Sequence, residues 1–148
     1  MMPTSRALIA GAAGASALNA VTYLDMVVRA RPASSTAEDS AGRLAELAHV
    51  DLGDARTATN RRSGLGPLLG YVTSVAAAVG YVAAGGRRLP LGVSTLALTG
   101  LAMIGSNGPL TLLRVTDPRT WSATDWVADL VPHLAYGAVT AVTLRALR

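Results

Sequence analysis

Residues 65–114 read LGPLLGYVTSVAAAVGYVAAGGRRLPLGVSTLALTGLAMIGSNGPLTLLR. Two long apolar runs flank a short break, Gly85-Gly86-Arg87-Arg88 followed by Pro90. A helix needs about 20 mostly apolar residues to cross the hydrocarbon core of a bilayer. The stretch therefore predicts two membrane helices, roughly 65–86 and 89–113, joined as an antiparallel hairpin. The first opens at Ser63 or Gly66 as its cap, with Pro67 preset for the first turn. Along it Gly66, Gly70, Ser74 and Ala78 recur every four residues, a small-residue stripe of the kind that lets helices approach closely in lipid. In the second, Pro109 cannot donate to the helical ladder and crowds the carbonyl of Gly105, which predicts a kink or break near Gly105–Pro109.

Working outward, 7–28 and 123–147 also read as spans. The fold class expected is all-α: a polytopic membrane protein with four transmembrane helices in one domain, 1–148. Residues 7–28 follow Arg6 but run longer than a signal-peptide core and lack a small-residue cleavage site, so they read as a retained span. Ser122 with Asp125 makes a capping box before the last span, and Trp121 and Trp126 fall at headgroup level. The surface loop 29–64 carries one short amphipathic helix, about Thr36 to His49. Ser35 and Glu38 read as its capping box, Leu44, Leu47 and Ala48 as its apolar face, and Gly53 as the end of the segment.

Composition agrees with this reading. The 148 residues are 51% hydrophobic and only 15% charged, against about 25% charged in soluble domains. The net charge of +4 does not point to nucleic acid, because the arginines sit at the ends of apolar runs and not in a stripe with aromatics. Arginine supplies all 13 basic residues, and phenylalanine and cysteine are absent. The arginine-for-lysine usage reads as codon bias in a GC-rich bacterial genome, which puts the chain in a bacterial cell (inner) membrane. Without cysteine there is no thiol nucleophile or thiolate metal site. His49 and His133 are the only histidines, on different segments, so neither a metal site nor a cofactor is expected. Eight arginines (Arg29, Arg31, Arg43, Arg56, Arg61, Arg62, Arg114 and Arg119) fall on the side bearing loops 29–64 and 114–122. Five (Arg6, Arg87, Arg88, Arg145 and Arg148) fall on the other, which favours the loop side as cytoplasmic.

Ionisable groups inside a span are costly and mark candidate sites. In the last span Asp125, Asp129 and His133 recur every four residues, with Tyr136 and Thr140 continuing the same side. Asp129 reads as a partner for an arginine such as Arg119, and Pro132 leaves the carbonyl of Ala128 without its usual donor. In the first span Asn19, Tyr23 and Asp25 are polar, and Asp25 stands four residues before Arg29 in the favourable order for a local ion pair. Asn107 lies beside Pro109, facing a polar cavity or capping a shortened helix.

Three patches resemble the YagU-type family of small bacterial inner-membrane proteins. They are Asp25 with Arg31 and Pro32 after the first span, Leu112-Leu113-Arg114-Val115-Thr116-Asp117-Pro118 before the last, and His133-Leu134-Ala135-Tyr136 within it. The resemblance implies location and architecture, and singles out Asp25, Arg31 and His133. The function expected is non-enzymatic: a scaffold or accessory protein whose small-residue faces pack against a second copy or a membrane-protein partner in the lipid bilayer. A small proton- or ion-coupled carrier using Asp129, His133 and Asp25 is the alternative, and an enzyme acting on lipid comes third.

Overall fold

The computed structural model describes residues 2–147. Five α-helices account for most of them: α1 Pro3–Arg29, α2 Thr36–Leu47, α3 Ala55–Ala83, α4 Leu91–Leu112 and α5 Ala123–Ala146. Gly86–Arg88 and Pro118–Thr120 form single 3₁₀ turns, and there is no strand among the described residues. The all-α reading holds. Helices α1, α3 and α5 are long and apolar enough to cross a membrane, which marks the chain as a membrane protein. The composition of α4 is diluted by Gly105-Ser106-Asn107-Gly108-Pro109, and α4 does not join that set.

Several local readings are corrected. Helix α3 starts at Ala55, ten residues before the expected 65, because the Asp54 side chain accepts from Thr57 N at 2.8 Å and caps it there. Pro67 consequently lies inside the helix and not in its first turn. Helix α4 runs unbroken through Pro109. The capping box at α2 does not form: Ser35 Oγ donates to Asp39, and Glu38 instead accepts from Ser63 Oγ of α3 at 2.9 Å. Helix α2 packs on the bundle through Ser40, Ala41, Gly42 and Ala45, while Leu44 and Leu47 of its apolar face stay exposed. The reason is steric. Small side chains allow α2 to lie on α3, where a side chain at Gly66 would meet the Ala37 carbonyl carbon at 2.9 Å. At α5 the Ser122–Asp125 capping box forms as read, with Asp125 Oδ2 accepting from Ser122 N at 2.9 Å.

Three helix ends share one device. After α1, Arg31 N donates to Met26 O and Ala30 N to Val27 O; after α2, Val50 N donates to Ala45 O and His49 N to Glu46 O; after α4, Val115 N donates to Leu110 O and Arg114 N to Thr111 O. This is the Schellman pattern, whose penultimate residue adopts a left-handed conformation. Here Ala30 (φ 49°), His49 (φ 54°) and Arg114 (φ 58°) occupy it, without the glycine that would adopt it freely.

Cross-helix contacts set the directions. Gly11 lies on Ser74, Val75 and Ala78, and Ser16 Oγ meets Tyr71 Oη at 3.2 Å, so α1 and α3 are antiparallel. Asn107 meets Asp129, Ser106 meets His133 and Leu89 meets Arg145, so α4 and α5 are antiparallel too. Trp121 and Trp126 pack edge to face at 5.0 Å at the start of α5. Large apolar side chains point outward; Leu68, Val72, Leu96 and Ile104 are each more than 60% exposed. The buried core is instead dominated by alanine, with Tyr81, Leu98, Tyr136 and Leu144 its larger members. Lipid tails are as apolar as leucine, so helices in a bilayer gain nothing by hiding leucine and associate through close packing of small residues.

Candidate functional site

The polar residues fall into three groups along the bundle. At the centre, the Tyr136 ring lies against Gly14, and its hydroxyl donates to Ser74 O of α3 at 2.6 Å. The Thr140 hydroxyl is buried against the same glycine. One tyrosine thus fastens α5 to α1 and α3 together. On its other side α5 meets α4 at Gly137, where an added Cβ would lie 2.5 Å from Thr95 O and 3.0 Å from Thr99 N. A glycine is required there because the backbones themselves are in contact.

One turn nearer the loop end is the second group. Asn107 Nδ2 donates to Asp129 Oδ2 at 2.9 Å, tying the middle of the polar stretch of α4 to α5. His133, 8% exposed, lies with Nδ1 2.7 Å from Asp129 O and 3.5 Å from Asp129 Oδ1. A carbonyl only accepts, so Nδ1 carries the proton. Nε2 faces Ser106 Oγ at 3.3 Å, and Ser106 Oγ also lies 2.9 Å from Ala102 O. Ser106 has a single hydroxyl proton. It therefore donates either to Nε2 or to Ala102 O, not to both at once. Thr99 Oγ1 donates to Thr95 O at 2.9 Å and approaches His133 O at 3.2 Å, which closes the seam.

The third group is at the loop end. Arg31 Nε donates to Asp25 Oδ2 at 2.5 Å, while Arg29 Nε lies 3.6 Å from Asp25 Oδ1. Helical spacing favours Arg29, yet Arg31 makes the closer pair. The left-handed turn at Ala30 folds Arg31 back over α1, and Arg31 Nη1 also donates to Pro32 O at 3.1 Å.

Of the residues singled out from sequence, Asn107, Asp129 and His133 come together, and Asp25 joins Arg31. Tyr136 serves the central crossing and not the histidine cluster. Asn19 is half-buried on α1, and its side chain makes no hydrogen bond among the described residues. The expected Asp129–Arg119 pair does not form: Arg119 makes a two-point contact with Asp117, at 2.9 and 2.8 Å. This holds the exposed Asp117 carboxyl below its ordinary range. In the α3 stripe Gly66, Ser74 and Ala78 are buried, but Gly70 is exposed with open space above it. It falls in the notch between α2, which rests on Gly66, and α1, which rests on Ser74. Ser106, Thr99 and Gly137 were not singled out. The polar run around Asn107 is the one signal that pointed toward Ser106. Among the described residues no three His, Asp or Glu side chains gather as metal ligands. No protein-family model, curated protein or solved structure matches the chain.

Proposed function

We propose that the chain is a four-span bundle of the bacterial inner membrane, of the YagU type, acting as a non-enzymatic scaffold or accessory subunit. Connectivity supports a fourth crossing. The end of α5 reaches the start of α4 through Arg145 Nη2 and Leu89 O at 3.2 Å, so α3 and α5 finish at the same end of the bundle. If both cross, α4 must return between them, and its 22 residues extend about 33 Å at 1.5 Å per residue.

The observation carrying the scaffold reading is the outer face of α4. Gly92, Leu96, Gly100, Ile104 and Gly108 follow one another every four residues, Leu96 and Ile104 exposed and each glycine with open space above it. Inside the bundle the glycines at 11, 14 and 137 are already filled by neighbouring helices. The α4 glycines repeat the same surface outward, where a helix of a second copy or a partner has room to seat. The test is Gly100→Leu. It fills empty space and does not lower the bundle's thermal stability, but it changes the elution volume in mild detergent or removes a copurifying membrane protein. An unchanged assembly with this variant refutes the reading.

The proton- or ion-coupled alternative is favoured by one arrangement, Asn107–Asp129–His133–Ser106. Proton flux into liposomes that is lost in His133→Gln decides for it.

A further inference from the structure

At the loop end a groove of about 470 Å³ opens between α2, the first turns of α3 and the residues following α4. Arg43, Arg62 and Arg114 line it together with Asp39 and Glu46. Both acids are engaged. Glu46 accepts from Arg43 Nη1 at 2.8 Å, and Asp39 accepts from Ser35 Oγ at 2.8 Å. The side chains of Arg62 and Arg114 have no hydrogen bond or ion pair among the described residues, and Arg62 Nε is buried without a partner.

Backbone features bring both arginines to the groove. Arg62 lies across Gly42, where a Cβ would stand 2.9 Å from its Nε. Arg114 occupies a left-handed position, φ 58°, fixed by the Val115 N to Leu110 O bond at 2.9 Å. Neither guanidinium pairs with the acids of the groove, so both are available to an anion that enters it. The planar fork of arginine matches phosphate oxygens in two-point contacts.

We propose that this groove binds the phosphate of an anionic lipid headgroup, with Arg62 and Arg114 as its ligands. The lipid source follows from the surroundings. Leu113 and Val115 line the groove beside the arginines, and Arg114 comes directly after the last apolar turn of α4. Leu44, Leu47 and Val50, on and just after α2, are 41%, 55% and 56% exposed, apolar surface that suits the acyl boundary beneath a headgroup. The inference rests on the membrane reading of the bundle and not on the scaffold role.

The test titrates the full chain in dodecylmaltoside with short-chain phosphatidylglycerol, phosphatidylcholine or inorganic phosphate, followed by calorimetry. Wild type binds phosphatidylglycerol at one saturable site, at least tenfold more tightly than either of the others. Arg62→Gln with Arg114→Gln weakens that binding at least tenfold, and Arg88→Gln at the opposite end changes it less than twofold. Should the double variant not fold, Arg114→Gln alone, at an exposed position, weakens binding at least threefold. Equal affinity for the two lipids, no saturable binding, or full affinity in the arginine variants overturns the proposal. Inorganic phosphate binding as tightly as phosphatidylglycerol overturns the lipid source. Extraction of the protein from membranes by alkaline carbonate reports separately that the membrane reading itself has failed.

Discussion

Gly137→Ala adds one methyl group where α5 meets α4, and the structure fixes what that methyl encounters. It would stand 2.5 Å from Thr95 O and 3.0 Å from Thr99 N, with the Thr99 hydroxyl closer still. The first two are backbone atoms, which cannot swing aside, so the helices must separate. Overpacking of this kind costs about 1–3 kcal/mol. Displacing the Thr99 hydroxyl also loses its contact with His133 O, and interhelical hydrogen bonds in membranes average about 0.6 kcal/mol. Against this, alanine is the better helix former by about 0.8–1 kcal/mol. The net is a destabilisation of about 1–2.5 kcal/mol. Gly100→Ala is the internal control, since nothing lies within 4 Å of its would-be Cβ; there the propensity term acts alone and stabilises by up to about 1 kcal/mol. Unfolding by dodecyl sulfate titration in mixed micelles measures both. Thr99→Ala in the Gly137→Ala background recovers only part of the loss, because Thr95 O remains. If Gly137→Ala is as stable as wild type, the claim that α4 and α5 touch backbone to backbone is wrong.

Asp25→Ala removes the acid shared by Arg31 and Arg29, and at side-chain exposures of 22–38% the cost should fall at about 1–3 kcal/mol, between an exposed and a buried pair. A double-mutant cycle gives the larger coupling to Arg31, and equal couplings contradict the geometry. Ala30→Gly relieves a left-handed alanine, φ 49°, which is disfavoured by about 1–2 kcal/mol; after the added freedom of the unfolded chain, about 0.4–1 kcal/mol, the variant is more stable by about 0.5–1 kcal/mol in the same titration. Hydrogen bonds from Thr57 lower the Asp54 carboxyl below 3.8. A folded value depressed in this way gives stability that is present above the unfolded value, about 3.9, and lost as pH falls through the folded one. Amide protection at Thr57 therefore drops on acidification below about pH 4, and Asp54→Asn removes that dependence.

Much of the architecture was legible because it rests on local signals. Apolar run length located the helices, and Ser122 with Asp125 marked the start of α5. Four-residue spacing put Asp129 and His133 on one side of α5. The errors share a different cause. The position of Ser106 opposite His133, and of Thr99 opposite Gly137, depends on how far α4 slides along α5, and no local pattern encodes that offset. Gly70 belongs to as regular a stripe as Gly66, yet the gap between α2 and α1 falls on it. Helix α3 begins before the expected start because Pro67 gives a strong start signal and Asp54-x-x-Thr57 a weak one. Asp25–Arg31 was indicated by the family resemblance over the helical spacing that favours Arg29. Its physical basis is the left-handed turn at Ala30, which an alanine in the sequence does not announce.

The cysteine-free chain makes the decisive measurement simple. Single cysteines at Val50, after α2, at Arg119, between α4 and α5, and at Arg88, between α3 and α4, are labelled with an impermeant thiol reagent in intact cells and in inverted membranes. Ser40 is unsuitable because it is buried with its hydroxyl on Thr36 O, whereas Val50 and Arg119 are exposed. A four-span bundle predicts that Val50→Cys and Arg119→Cys label from the same side and Arg88→Cys from the opposite side. Labelling of Arg88→Cys and Arg119→Cys from the same side would mean that α4 does not cross, and would contradict the account.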